Sequence, residues 1–292
     1  MKLKHEARPG ILYIIATPIG NLQDITIRAL TVLRDTEVLF VENLSTTIKL
    51  LKHYNIVCPT IIEYHDHNEN ARVKQVVQHL RENKIVAMVS DAGTPLISDP
   101  GFKIVQSVKQ NQNFRVTPIP GVSAMITALS AGGVETHDFL FKGFLPRKKN
   151  QQNEALKDIK RKNITTILYE SKHRIIETTK HIANLLPDNK IVIARELTKR
   201  FECFFTGTGK KILEFFSKNP DKIKGEFTII IEKTIKKENF FIEKKILTAL
   251  LKKNSLAESV QTVTEITSTK KNKIYKMALE LQQKNVKKNK DN

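Results

Sequence analysis

A chain of 292 residues can hold two compact α/β domains plus a small appendage, and its 40% hydrophobic and 27% charged residues exclude a disordered or membrane-embedded class. A formal charge of +19 favours a polyanionic partner, RNA first, because lysine and arginine bind phosphates and release condensed counterions. The two cysteines, Cys58 and Cys203, lie far apart without Cys-x-x-Cys spacing, which excludes a disulfide framework and a cysteine metal centre and suits the reducing cytoplasm.

The apolar stretch at residues 10–16 reads as the first strand; its core is too short for a signal peptide and runs into Thr17-Pro18, so no export signal is expected. A helix at 27–34, an apolar run at 37–41 and a helix at 47–54 follow, a β/α rhythm that predicts a parallel sheet. Val73, Val76, Val77 and Leu80 recur at helical spacing within 69–83, residues 84–89 read as a buried strand, and 102–110 as a helix. Residues 114–118 make another short strand, and Pro120-Gly121 is expected to open a helix through Leu129 that stops at Gly132-Gly133.

The second half has a different texture, with strand candidates at 139–144, 165–169, 191–194, 202–206 and 227–232 between helices at 153–161, 173–186 and 210–218, a mixed sheet. From Thr234 onward the pattern is helical only, with Ile246, Leu247, Leu250 and Leu251 in one segment and Leu256, Val260, Val263 and Ile266 in the next. The expected division is therefore an N-terminal α/β domain at 10–121, a second at 122–233, a helical tail at 234–283 and a basic disordered terminus at 284–292. Residues 233–292 carry 15 lysines against 6 acids, so nearly half of the excess charge sits in a fifth of the chain. A lysine-, asparagine- and isoleucine-rich composition can raise charge by drift alone, and solvated helix faces are the plain alternative to an RNA surface.

Three Pro/Gly loops follow predicted strands at their carboxyl ends, where open parallel sheets place ligands. They are Thr17-Pro18-Ile19-Gly20-Asn21-Leu22, the segment from Ser90-Asp91-Ala92-Gly93-Thr94-Pro95 to Ser98-Asp99-Pro100-Gly101, and Pro118-Ile119-Pro120-Gly121-Val122-Ser123-Ala124. Any one could be an ordinary βα turn, and no glycine-rich phosphate motif is present. Together they offer Asp91, Asp99, Thr94 and Ser123 to a compact, polar, cationic ligand, and an adenosyl sulfonium suits them.

These loops closely resemble the cofactor loops of the tetrapyrrole methylase superfamily. Tyr64-His65-Asp66-His67-Asn68-Glu69, Gly143-Phe144-Leu145-Pro146-Arg147-Lys148, Tyr169-Glu170-Ser171-Lys172-His173-Arg174, Ala194-Arg195-Glu196-Leu197-Thr198-Lys199 and Lys224-Gly225-Glu226-Phe227 resemble motifs of its small-subunit ribosomal RNA branch. Residues 255–281 resemble that branch's C-terminal helical extension, so the resemblance spans residues 10–281. It implies the two-domain α/β tetrapyrrole methylase fold with a small C-terminal helical extension, and a homodimer without membrane attachment. The implied cofactor is S-adenosylmethionine, and the implied substrate is a decoding-centre cytidine ribose of small-subunit rRNA, free or in the assembled subunit.

Carried over position by position, the resemblance implies cofactor contacts from Pro18, from Asp91, Ala92, Gly93, Thr94 and Ile97, from Ser123 and Ala124, and from Tyr169 and Leu197 in the second domain. Branch members usually carry Glu-Asp-Thr-Arg where this chain has Glu42-Asn43-Leu44-Ser45, and proline where it has Lys172. Methyl transfer to a ribose hydroxyl gains from a positioned base, and Glu196, Glu170 and His67 are the catalytic candidates, with Glu42 beside them. Glu196 could instead be an ion-paired group that orients its loop, and His65 with His67, lacking a third ligand, suggests a hydrogen-bonded pair rather than a metal site. Arg147, Lys148, Lys199 and Arg200 are the phosphate-contact candidates, each equally readable as solvated surface charge. A small tetrapyrrole as substrate, or an RNA-binding homologue without catalysis, stays open as an alternative.

Overall fold

The computed structural model describes residues 10–234, 240–267 and 269–288. The chain divides into two units, Met1–Thr234 and Ile235–Asn292. Within the first, β1 (Ile11–Ile15), β2 (Val38–Val41), β3 (Thr60–Glu63), β4 (Val86–Val89) and β5 (Arg115–Ile119) form one sheet in the order β3-β2-β4-β1-β5. Every pairing in it is parallel, as the β/α rhythm predicted.

Alternation along these strands sorts side chains onto two faces. Tyr13, Ile15, Leu39, Val41, Ala87 and Val89 pack with α1 (Ile27–Asp35) and α2 (Leu44–His53). Leu12, Ile14, Val38, Phe40, Val86 and Met88 pack against α3 (Glu69–Arg81) and α4 (Phe102–Gln110). Both faces are covered, which is why the strands read as continuous apolar runs.

One strand was not foreseen, and two expectations need correction. Strand β3 carries only Ile61 and Ile62 as apolar residues and is half-exposed at the sheet edge, so no buried run announced it. The helix expected from Pro120-Gly121 begins at Ala124 as α5 (Ala124–Ala131), because Ser123 is still extended at φ −141°. Helix α6 (Lys149–Lys162) begins ahead of the expected residue 153, with Gln152 turned inward and buried.

The second sheet runs β6-β7-β10-β8-β9, from β6 (Phe139–Phe144), β7 (Thr165–Ser171), β8 (Ile191–Arg195), β9 (Cys203–Gly207) and β10 (Glu226–Ile231). It is mixed, with β6 parallel to β7 and the other pairings antiparallel. One face packs on α6, α7 (Ile175–Leu185) and α8 (Gly209–Lys218) through Leu156, Ile182 and Phe216. The other face takes Ala128 and Leu129 of α5, together with Ile19 from the loop after β1. The first lobe thus inserts a loop residue into the core of the second.

The C-terminal unit comprises α9 (Phe241–Leu250), α10 (Leu256–Thr267) and α11 (Lys271–Lys288) around Leu247, Val260, Val263 and Ile274. A reciprocal cap starts α10: the Ser255 amide donates to Glu258 Oε2 at 3.0 Å and the Glu258 amide to Ser255 Oγ at 3.3 Å. Helix α11 continues past residue 283, where disorder was expected, since its lysines, glutamines and methionine are good helix formers. Residues 289–292 of that basic terminus lie outside the described residues.

Candidate active site

Strand order brings the three loops together, because β1 lies between β4 and β5. Thr17 and Gly93 exchange two backbone hydrogen bonds, both 2.9 Å, and Thr17 Oγ1 donates to the Ser90 carbonyl at 3.3 Å. Thr94 Oγ1 donates to the Val122 carbonyl at 3.0 Å, which ties the second loop to the third. From the second lobe the Tyr169 hydroxyl accepts the Met125 amide at 3.1 Å, and Thr198 Oγ1 accepts the Asn21 amide at 3.1 Å.

These loops and the second sheet enclose a cavity of about 290 Å³. The first lobe contributes Ile19, Ala92, Gly93, Thr94 and Ile97, then Ser98, Asp99, Ser123 and Ala124. The second contributes Phe144 from β6, Tyr169 and Glu170 from β7, Leu197, and Glu226 to Thr228 from β10. Eight of the ten expected cofactor contacts line the wall: Ala92, Gly93, Thr94, Ile97, Ser123 and Ala124 on one side, with Tyr169 and Leu197 opposite them. Pro18 is buried beside Ile19 outside the wall, and Asp91 lies behind it, its amide donating to Glu42 Oε2 at 3.1 Å.

Backbone strain concentrates here. Among the described residues, besides three asparagines, the non-glycine residues at positive φ are Leu96 and Ser98 in the second loop and Glu196 and Thr198 in the loop after β8. Such conformations cost about 1–3 kcal/mol each and persist where surrounding structure holds them. Both loops border the cavity, so the fold holds strain at its proposed site of chemistry.

Glu196 is not in the cavity wall. Its Oε1 accepts Lys199 Nζ at 2.9 Å and the Glu226 amide at 3.0 Å. Burial pushes its carboxyl up, but these hydrogen bonds and the Lys199 and Arg195 charges outweigh that and hold it below its ordinary value of 4.5. A carboxylate so occupied is a poor base, and its bonds tie the loop after β8 to β10.

Glu170 does line the cavity, yet it accepts Thr178 Oγ1 at 2.6 Å and the Ser171 amide at 2.9 Å and faces Arg174 at 3.5 Å. Arg174 in turn donates to the carbonyls of Leu145 and Pro146 at 2.7 and 3.2 Å, so this network fixes the segment carrying Arg147 and Lys148. His67 is exposed and away from the cavity wall, its ring 5.9 Å from that of His65.

Among the phosphate candidates, Arg147, Lys148 and Arg200 are exposed, and Arg200 lies 5.6 Å from the ring centre of the exposed Phe201. Lys199 is committed differently, bridging Glu196 and Glu226 at 2.9 and 2.8 Å. The altered segment at 42–45 keeps its local structure: Asn43 Oδ1 caps α2 by accepting the Ser45 and Thr46 amides at 2.9 and 3.3 Å.

Reading from sequence overlooked Ile19, Phe144 and the β10 residues of the wall. Lys224-Gly225-Glu226-Phe227 was a visible signal, but its place beside the cavity depends on β10 pairing between β7 and β8.

If Glu196 is a positioning group, Glu196→Gln should leave the pH profile of catalysis unchanged and cost about 1–2 kcal/mol of stability at neutral pH, as for loss of a charge-assisted hydrogen bond. Since its carboxyl is depressed in the fold, this contribution is present above pH 4.5 and lost as pH falls through the folded value. Melting curves of the two proteins should therefore converge on acidification; a constant gap would contradict the assignment.

A cofactor fit can be judged from the wall. A Cβ built on Gly93 would stand 3.3 Å from Ile19 Cγ2 and 3.6 Å from the Val122 carbonyl oxygen, so the loops close tightly around a position with no side chain. Ile19, Ile97 and Leu197 offer apolar faces to a nucleoside, while Thr94 and Ser123 offer polar atoms. That donor set fits an adenosyl sulfonium.

The model of the Tetrapyrrole (Corrin/Porphyrin) Methylases matches residues 11–213. The chain is 43% identical to ribosomal RNA small subunit methyltransferase I of Buchnera aphidicola from Acyrthosiphon pisum, over 92% of this chain and 96% of that protein. It is 39% identical to the protein of the same name from Escherichia coli O157:H7, over 94% and 96%. Among solved structures, a cobalt precorrin-4 methyltransferase of cobalamin biosynthesis superposes with a TM-score of 0.57 at 19% identity, covering 76% of this chain and 94% of that one. A diphthine synthase superposes with a TM-score of 0.59 at 14% identity, covering 77% and 90%.

Proposed function

The chain belongs to the Tetrapyrrole (Corrin/Porphyrin) Methylases, and from that membership we propose that it transfers a methyl group from S-adenosylmethionine to the 2′-hydroxyl of a cytidine ribose in small-subunit ribosomal RNA. The observation that carries the substrate is the near-full-length identity of about 40% to ribosomal RNA small subunit methyltransferases. The structural neighbours, which bear the names of enzymes with other substrates, share only the fold, and fold alone selects no substrate.

Bound S-adenosylmethionine supplies a methyl group activated by its sulfonium. Ala92, Gly93, Thr94 and Ile97 would hold it from the first lobe with Ser123 and Ala124, and Tyr169 and Leu197 from the second. Displacement at a methyl carbon rewards alignment, so the chain's main task is to hold the ribose oxygen in line at near-attack distance. Stitched loops, Tyr169 fastened to the start of α5, and Ile19 seated in the opposite core make that wall rigid.

The rim supports an RNA partner. Phe144 is 53% exposed at the cavity, and Phe201 is exposed beside Arg200, an aromatic and basic pairing that suits unstacked bases and phosphates. Arg147, Lys148 and Arg200 are the proposed phosphate contacts. The proposal extends to a decoding-centre target, a homodimer and a cytoplasmic place of action; among the described residues no helix is long and apolar enough to cross a membrane.

Binding tests this reading. Titration with small-subunit RNA should give log K falling with log salt at a slope of about −0.7 to −0.9 per phosphate contact. Reversing Arg147 and Lys148 to glutamate should weaken binding and flatten the slope by about 2, while affinity for S-adenosylmethionine stays unchanged. An unaltered slope would return that segment to surface charge.

A further inference from the structure

The geometry points to Asp99 as the group that takes the proton from the substrate hydroxyl, a role that rests on the proposed ribose methylation. Among the described residues three acidic ones line the cavity: Asp99, Glu170 and Glu226. Glu170 is held by Thr178, Ser171 and Arg174, and Glu226 is paired with Lys199. Among the described residues Asp99 is the acidic wall residue without a cation partner.

Its surroundings suit a base. Burial raises the Asp99 carboxyl, a hydrogen bond with Ser90 opposes this, and the charges of Glu42 and Asp91 reinforce it, leaving the carboxyl at about 6. Tyr64 and Tyr169 also sense the Asp99 charge, and both phenols are pushed up chiefly by burial, so they stay neutral near pH 7. Asp99 is therefore ionised at neutral pH yet more basic than an ordinary aspartate, the compromise that general-base catalysis favours.

In the step assigned to it, the ribose oxygen forms a bond to the methyl carbon while its O–H bond breaks, and the proton passes to an Asp99 carboxylate oxygen. The electron pair of the carbon–sulfur bond leaves with sulfur, which becomes a neutral thioether. Asp99 is in the second loop, directly after the strained Ser98, and that loop is tied to the first and third by backbone and Thr94 hydrogen bonds.

The experiment combines single-turnover methyl transfer across pH with calorimetry, on the full chain, using small ribosomal subunits that lack the modification. Wild-type rate should rise tenfold per pH unit below about pH 6, where Asp99 is protonated, and level above it. Asp99→Asn should lower the rate about 10²–10⁴-fold at saturating S-adenosylmethionine. Its melting temperature and its calorimetric affinity for S-adenosylmethionine should stay close to wild type, and Asp99→Glu should recover part of the rate with an acid limb retained.

Two results with the variant would overturn the assignment while the proposed function stands: an Asp99→Asn rate near wild type, or a defect confined to cofactor affinity and cured by saturation. A flat wild-type profile through pH 6 would overturn it without any variant. Absence of ribosomal RNA methylation by the wild-type protein would overturn the function and this role with it.

Discussion

Gly93→Trp should abolish binding of S-adenosylmethionine, raising its dissociation constant at least ~100-fold, which corresponds to ~2.7 kcal/mol or more. Gly93 sits where the three loops meet, at φ +78°, a region that side chains enter only with strain. Even a Cβ there stands 3.3 Å from Ile19 Cγ2 and 3.6 Å from the Val122 oxygen, so an indole has to occupy the cavity or force the loops apart. The first outcome excludes the nucleoside; the second breaks the paired hydrogen bonds between Thr17 and Gly93. Calorimetry with S-adenosylmethionine checks the result, and unchanged affinity would remove the cofactor from this cavity.

Gly225→Ala should destabilise the protein by about 2–4 kcal/mol, the combined cost of a forced left-handed residue and a displaced carboxylate. Gly225 has φ +97°, and a Cβ at that position would lie 2.4 Å from Glu196 Cδ. Glu196 cannot yield without losing Lys199 and the Glu226 amide, and with them the alignment of β10 residues along the cavity. Thermal melts should fall by roughly 5–15 °C. Because the damage acts through Glu196, the double variant with Glu196→Ala should be less destabilised than the sum of the singles; strict additivity would show that the clash is relieved elsewhere.

Much of the fold was legible because both sheets are buried. Runs such as Val86-Ala87-Met88-Val89, sealed on two faces, have no polar alternation to confuse them, and α3 began where its apolar spacing placed it. Strand β3 escaped because an edge strand with one apolar pair resembles a loop. The three loops could be recognised as a ligand site from their positions after strands and from their resemblance to known cofactor loops.

Roles inside the site were harder to read. Glu196 and Asp99 are both acids in recognisable loops, and only the orientation of neighbours separates them. Lys199 and the Glu226 amide occupy one, while the other stands in the wall beside Glu42 and Asp91. Lys199 looked available for phosphate because its pairing with Glu226 spans the distance from β8 to β10 in sequence. Asn43 shows the reverse case: a departure from the family pattern that the structure absorbs as an ordinary helix cap.

The most direct test of the account is transfer of labelled methyl from S-adenosylmethionine to small ribosomal subunits lacking the modification, followed by nucleoside analysis of the digested RNA. The expected product is 2′-O-methylcytidine at a single site, made by the wild-type chain and not by Gly93→Trp. Label on a base or on protein, or none despite measured cofactor binding, would contradict the proposed reaction.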